Sequence, residues 1–111
     1  MASGRCFETT VEMLLDFPPG TSWRVAHGIP LRRGGEAKGL RYWHAWLESD
    51  SGFCIDGNTK ALIPRDQYYQ LGNIDPDQVW YFTRQEMGFE IAEHEHYGPW
   101  VDDWEDLVQM V

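Results

Sequence analysis

Leu40-Arg41-Tyr42-Trp43-His44-Ala45-Trp46-Leu47-Glu48 decides the fold class. The stretch is rich in aromatic side chains and alternates with period two, so it reads as a β-strand. His44, Trp46 and Glu48 share one face; Trp43, Ala45 and Leu47 share the other. Ser49-Asp50-Ser51-Gly52 is turn chemistry, and Phe53 to Asp56 reads as the returning strand of a hairpin. A hairpin loop with an odd number of residues places His44 opposite Asp56 and Trp46 opposite Cys54. An even loop turns Asp56 to the wrong face. The odd register is expected, with Gly52 in the left-handed conformation or in a bulge.

Working outward, Trp23 to Ile29 reads as a strand and Pro30 to Gly39 as an exposed loop. Thr59 to Ile63 and Val79 to Phe82 are further short strands. Phe7, Val11, Leu14 and Leu15 recur at helical spacing, which predicts a helix over Cys6 to Asp16, stopped by Pro18-Pro19-Gly20. Pro64 at a first helical position precedes a short helix over Asp66 to Leu71, closed by Gly72. Thr83-x-x-Glu86 is a capping box, so a helix begins at Arg84 and runs to His94. Trp104, Leu107, Val108 and Val111 keep helical spacing in a last short helix. Runs of strands joined by tight turns, with helices at either end, make the chain α+β: an N-terminal helix packed on an antiparallel sheet, one domain over residues 1–111.

With 111 residues, 42% of them hydrophobic, the chain has enough apolar material for a core. The net charge of −9 disfavours nucleic acid, whose phosphates need a basic surface, and disfavours anionic membranes. No run approaches the roughly 20 apolar residues of a membrane span. The N-terminal residues show no charged segment followed by an apolar one, so no signal peptide is expected. Two cysteines without such a signal point to free thiols in the cytoplasm. Too few Cys and His ligands stand at defined spacing for zinc.

Cys6 is placed by this reading at a helix N-terminus, where unpaired N–H groups and the helix dipole favour a thiolate and could furnish part of an oxyanion hole. Alone, Cys6 reads more commonly as a small buried hydrophobe, His44 as a packed strand histidine and Asp56 as a turn residue. Together they supply a nucleophile, a base and a group to orient the base. Trp46 either flanks that face or packs in the core. His27 is a satisfied strand histidine or lines a cleft, and Tyr68-Tyr69 reads as helix packing. Glu93-His94-Glu95-His96 reads as solvated rather than metal-binding.

Gly4-Arg5-Cys6, then Tyr42 to Glu48, then Cys54-Ile55-Asp56 resembles the transglutaminase-like branch of the papain-like cysteine enzymes. The resemblance covers about residues 4 to 63. It implies a papain-like core, with Cys6 as nucleophile, His44 as base and Asp56 as its orienter; Trp46, Trp43 and His27 are the residues expected to line the site. It also implies attack on an amide through a thioester at Cys6, without a cofactor, giving a peptidase, amidase or deamidase. The oxyanion-hole glutamine of papain-type proteases has no counterpart before Cys6. The Val25-Ala26-His27-Gly28 strand, Tyr68-Tyr69 and the His96-to-Trp100 segment are similar to features of small phage and bacterial proteins. The expected partner is an amide-containing protein or small molecule, with a further protein partner open for the C-terminal segment. The rival reading is a non-catalytic binding module or inhibitor on the same scaffold.

Overall fold

The structure, a computed structural model, describes residues 2–36, 38–102 and 104, with residues 2–4 described by backbone alone. In chain order the elements are α1 (Ala2–Leu15), β1 (Arg24–Gly28), β2 (His44–Glu48), β3 (Phe53–Asp56), β4 (Leu62–Pro64), α2 (Arg65–Gly72), β5 (Trp80–Phe82) and α3 (Arg84–His94), with one 3-10 turn at Pro76–Gln78. The strands form one antiparallel sheet in the order β4-β3-β2-β1-β5. The α+β architecture expected from the alternation is therefore present. The last helix expected, over 104–111, lies outside the described residues apart from Trp104.

β2 is the central strand, and all five of its residues are buried. Ala45 and Leu47 pack on the α1 side, Ala45 with Cys6 and Phe7, Leu47 with Val11 and Leu14. Trp46 packs on the other side with Tyr68 and Tyr69 of α2. α1 earns its place by spacing: Cys6, Phe7, Thr10, Val11 and Leu14 are all buried, one stripe on one helix face. α3 keeps the bounds set by its capping box, in which Thr83 accepts from the Glu86 N–H and Glu86 accepts from the Thr83 N–H.

Three local expectations change. The ladder of β1 and β2 stops at Gly28 and His44 because Pro30 has no N–H to donate, leaving the isolated Leu31–Arg41 bridge beyond it. β4 starts only at Leu62 because the Asp56 carboxylate captures the Asn58 and Thr59 N–H groups and curls the chain into a turn. The β2–β3 register is odd, with Gly52 at φ 94°, but it is shifted: Trp46 opposes Asp56 and Glu48 opposes Cys54. The shift arises where the Ser49 N–H donates to the Phe53 carbonyl and the Ser49 hydroxyl accepts from the Phe53 N–H, which closes the turn on Phe53. His44 and Asp56 keep the same face but are diagonal neighbours, not directly opposed.

Gly28 is required by close packing. A Cβ there would lie 2.4 Å from Cη2 of the fully buried Trp46. Gly28→Ala should lower stability by about 1–3 kcal/mol through overpacking. Gly34→Ala, whose Cβ meets nothing within 4 Å, should change it far less. Urea unfolding midpoints of the two variants measure the difference.

Candidate functional site

His44 opens β2 and stands at the end of the sheet nearest the start of α1. Its Nε2 lies 3.0 Å from Oδ2 of Asp56, the last residue of β3. The same carboxylate oxygen accepts a 2.5 Å hydrogen bond from the Tyr68 hydroxyl, and Oδ1 accepts from the N–H groups of Asn58 at 2.7 Å and Thr59 at 3.1 Å. A carboxylate with that many donors stays ionised: burial pushes its pKa up, but the bonds from His44 and Tyr68 hold it well below the ordinary range. Asp56 thereby selects the imidazole tautomer with its proton on Nε2. Nδ1, the other ring nitrogen, is buried.

The Cys6 thiol acts on this same imidazole. Burial alone would lower the His44 pKa, but the hydrogen bonds with Asp56 and then Cys6, together with their charges, raise it to about 9. The three residues expected to work together are thus brought together by α1, β2 and β3. Gly57 makes this possible: a Cβ there would sit 2.6 Å from the Thr10 hydroxyl and 3.1 Å from the Cys6 carbonyl. Its lack of a side chain lets the turn after Asp56 close on α1.

One expectation about Cys6 needs correction. The helix begins at Ala2, so Cys6 is its fifth residue and lies in the second turn rather than at the N-terminus. Its N–H therefore falls within the helix, and the orphan donors belong to the turn before it. The dipole effect also fades within the first turn, so the residue placed to take the thiol proton is His44. Cys6 is 0% exposed, as its reading as a small buried hydrophobe had it. Phe7, Ile29, Trp43 and Ala45 surround it, with Trp80, Val101 and Trp104 packed against that group. Trp43 fixes this cover by donating its indole N–H to the Trp104 carbonyl at 2.8 Å.

A cleft of about 430 Å³ opens beside the His44–Asp56 pair. His44, Asp56, Tyr42, Tyr68, Arg32 and Arg33 contribute to its wall, whereas Cys6 does not. Of this wall, Tyr42 and His44 both interact electrostatically with Cys6.

The remaining residues singled out in the sequence are mostly structural. Trp46 is fully buried, its ring 6.2 Å from that of His44, and its indole N–H bonds to Glu48. Trp43 covers Cys6. His27 is fully buried on the α1 side, packed against Phe7, Phe82 and Trp100, and is not part of the cleft wall. Burial, then the neighbouring His44 and His96, lower its pKa to about 3, so it is neutral. Gly98 and Trp100 close over His27, which gives the His96-to-Trp100 segment a packing role. Cys54 is a buried free thiol pointing at Glu48. On α3, Glu90, Glu93 and His94 lie within 4.8 Å of one another at the surface, but His94 is already 3.5 Å from Glu90.

Reading the sequence missed Tyr68, which bonds Asp56, and Glu48. The Glu48 carboxylate is buried and accepts from Tyr69, Arg65, Trp46 and Cys54. The available signal was Glu48 itself: an acid on the same strand face as Trp46 needs a partner if that face is buried. Among the described residues, no helix is long and apolar enough to cross a membrane. Comparison with protein-family models, curated proteins and solved structures yields no match to this chain.

The His44 imidazole should titrate near pH 9 in an NMR experiment. Asp56→Asn should bring the midpoint down steeply, because burial then prevails. The folded state holds a proton that the unfolded chain, with an ordinary histidine pKa near 6.5, releases. This group's stabilisation should therefore be complete below about pH 6.5 and fall as pH rises towards 9. Urea midpoints across that window check the sign.

Proposed function

We propose that this protein is a cysteine-dependent acyl-transfer enzyme on a papain-like scaffold of transglutaminase-like form, cleaving an amide. The observation that carries the reading is one buried imidazole shared between a carboxylate on Nε2 and a thiol, in the chain order Cys6, His44, Asp56. A helix bearing the cysteine against an antiparallel sheet bearing the base and acid supports the scaffold assignment.

In this mechanism the Cys6 proton passes to His44 Nδ1, and the thiolate attacks the amide carbonyl carbon. The tetrahedral intermediate collapses by breaking the C–N bond, and the imidazolium gives its proton to the departing amine. The acyl group remains on sulfur as a thioester. Water, deprotonated by His44, then attacks the thioester, releasing the carboxylic acid and the thiol. Asp56 holds the ring and offsets the imidazolium charge, and Tyr68 holds Asp56. Substrate reaches the sulfur only when Tyr42 or the Trp43–Trp104 cover moves, because Cys6 is enclosed. Two free thiols suit a cytoplasmic setting, and an amide-bearing protein or small molecule is the partner.

The burial of Cys6 also favours a second reading, a non-catalytic binding module in which Cys6, His44 and Asp56 are a satisfied polar cluster. Alkylation by iodoacetamide between pH 5 and 9, followed by peptide mapping, separates the two. For an enzyme, Cys6 reacts in the folded protein below pH 7 while Cys54 stays protected, and His44→Ala slows Cys6 roughly tenfold or more. If both cysteines react together at the rate of unfolding, the acyl-transfer reading falls.

A further inference from the structure

The cleft beside His44 carries a second kind of chemistry. The chain as a whole is strongly acidic at −9, yet among the described residues the wall of this cleft offers two arginines and one acid. That acid, Asp56, is already committed to His44, Tyr68 and two backbone N–H groups. Among the described residues, neither Arg32 nor Arg33 forms an ion pair with a carboxylate. Arg33 is anchored to the Leu71 carbonyl at 3.1 Å. Arg32 sits over Tyr42, its guanidinium carbon 4.1 Å from the ring centre, and its Nε is buried with no acceptor among the described residues. Arg24 and Arg84 also have an Nε without an acceptor, but of the three only Arg32 is a residue of this cleft's wall.

A buried guanidinium N–H without an acceptor is unfavourable, and the planar fork of arginine matches an oxyanion with two parallel bonds. The cation–π contact with Tyr42 holds the guanidinium over that ring. The volume of about 430 Å³ lies within the usual range for small-molecule sites, which excludes a long polymer enclosed whole. We infer that the cleft binds a small amide carrying a free carboxylate, with Arg32 receiving the carboxylate, Arg33 adding positive charge at the mouth, and the amide directed towards His44. As an assignment of substrate class this rests on the acyl-transfer reading; as a binding site it rests on the cleft alone.

Titration of the ¹⁵N-labelled full chain with N-acetylglycine, N-acetylglycinamide and inorganic phosphate tests it, following the Arg32 Nε–H and the amides of residues 30–34 and 42. N-acetylglycine should give saturable shifts, with the neutral N-acetylglycinamide weaker by about tenfold or more. Arg32→Gln should remove that difference, Arg32→Lys should restore it in part, and Arg84→Gln, outside the cleft, should leave it intact. Shifts that do not saturate, equal binding of the neutral amide, or undiminished binding by Arg32→Gln would overturn the proposal. Phosphate binding tighter than N-acetylglycine would overturn the carboxylate assignment. The titration is repeated in Cys6→Ala, where binding should persist. Saturable binding there, combined with an inert Cys6 in the alkylation experiment, would sink acyl transfer and keep the cleft site. A reactive Cys6 without binding would do the reverse.

Discussion

Strand β2 is buried on both faces, yet it carries an ionisable side chain at each end of one face, His44 and Glu48. Water cannot solvate either group, and an unpaired charge in the interior is far too costly to persist. Each therefore needs protein partners, and supplying them arranges the neighbouring elements. Asp56 comes from β3 to His44, while Tyr69 and Arg65 come from α2 to Glu48. Adjacent tyrosines of α2 serve both ends, since Tyr68 bonds the Asp56 that holds His44. The helix is thus tied to the sheet by two polar anchors about one strand-length apart, with Trp46 packed between them.

This arrangement divides the molecule by chemistry. The α1 side of the sheet is almost wholly apolar, and its one histidine there, His27, is kept neutral by burial among aromatic rings. The α2 side is a polar network within an aromatic shell. Cys6 belongs to the apolar side, but it meets His44 where the sheet ends and Gly57 lets the backbone close in. The thiol and the cleft therefore lie on either side of one imidazole. An imidazole so placed can pass a proton between them, and the side chains around it control whether a ligand reaches the sulfur.

Local chemistry was legible where it is decided locally. The Thr83–Glu86 box marks the start of α3 because capping satisfies orphan N–H groups within one turn. The period-two stretch around Trp46 reveals a strand, and the odd parity of the hairpin follows from placing His44 and Asp56 on one face. The exact pairing was not legible, because Ser49 closes the turn on Phe53 through a bond that competes with other closures of similar length. The beginning of α1 was misplaced by a turn: Ser3, a residue type that favours helix caps, lies inside the helix. The tyrosines of α2 read as packing because their hydroxyl partners lie twelve and more residues away.

By itself the sequence determined the α+β class, most of the strands, α3, and the three residues that share one site, since these depend on periodicity, caps and face parity. Only the tertiary structure decided that Cys6 is enclosed, that Tyr68 holds Asp56, and that Arg32, with its buried unpartnered Nε, lines the cleft beside His44. Exposure and pairing across long separations depend on how whole elements pack, and packing is set by the sum of many contacts rather than by any short stretch of chain.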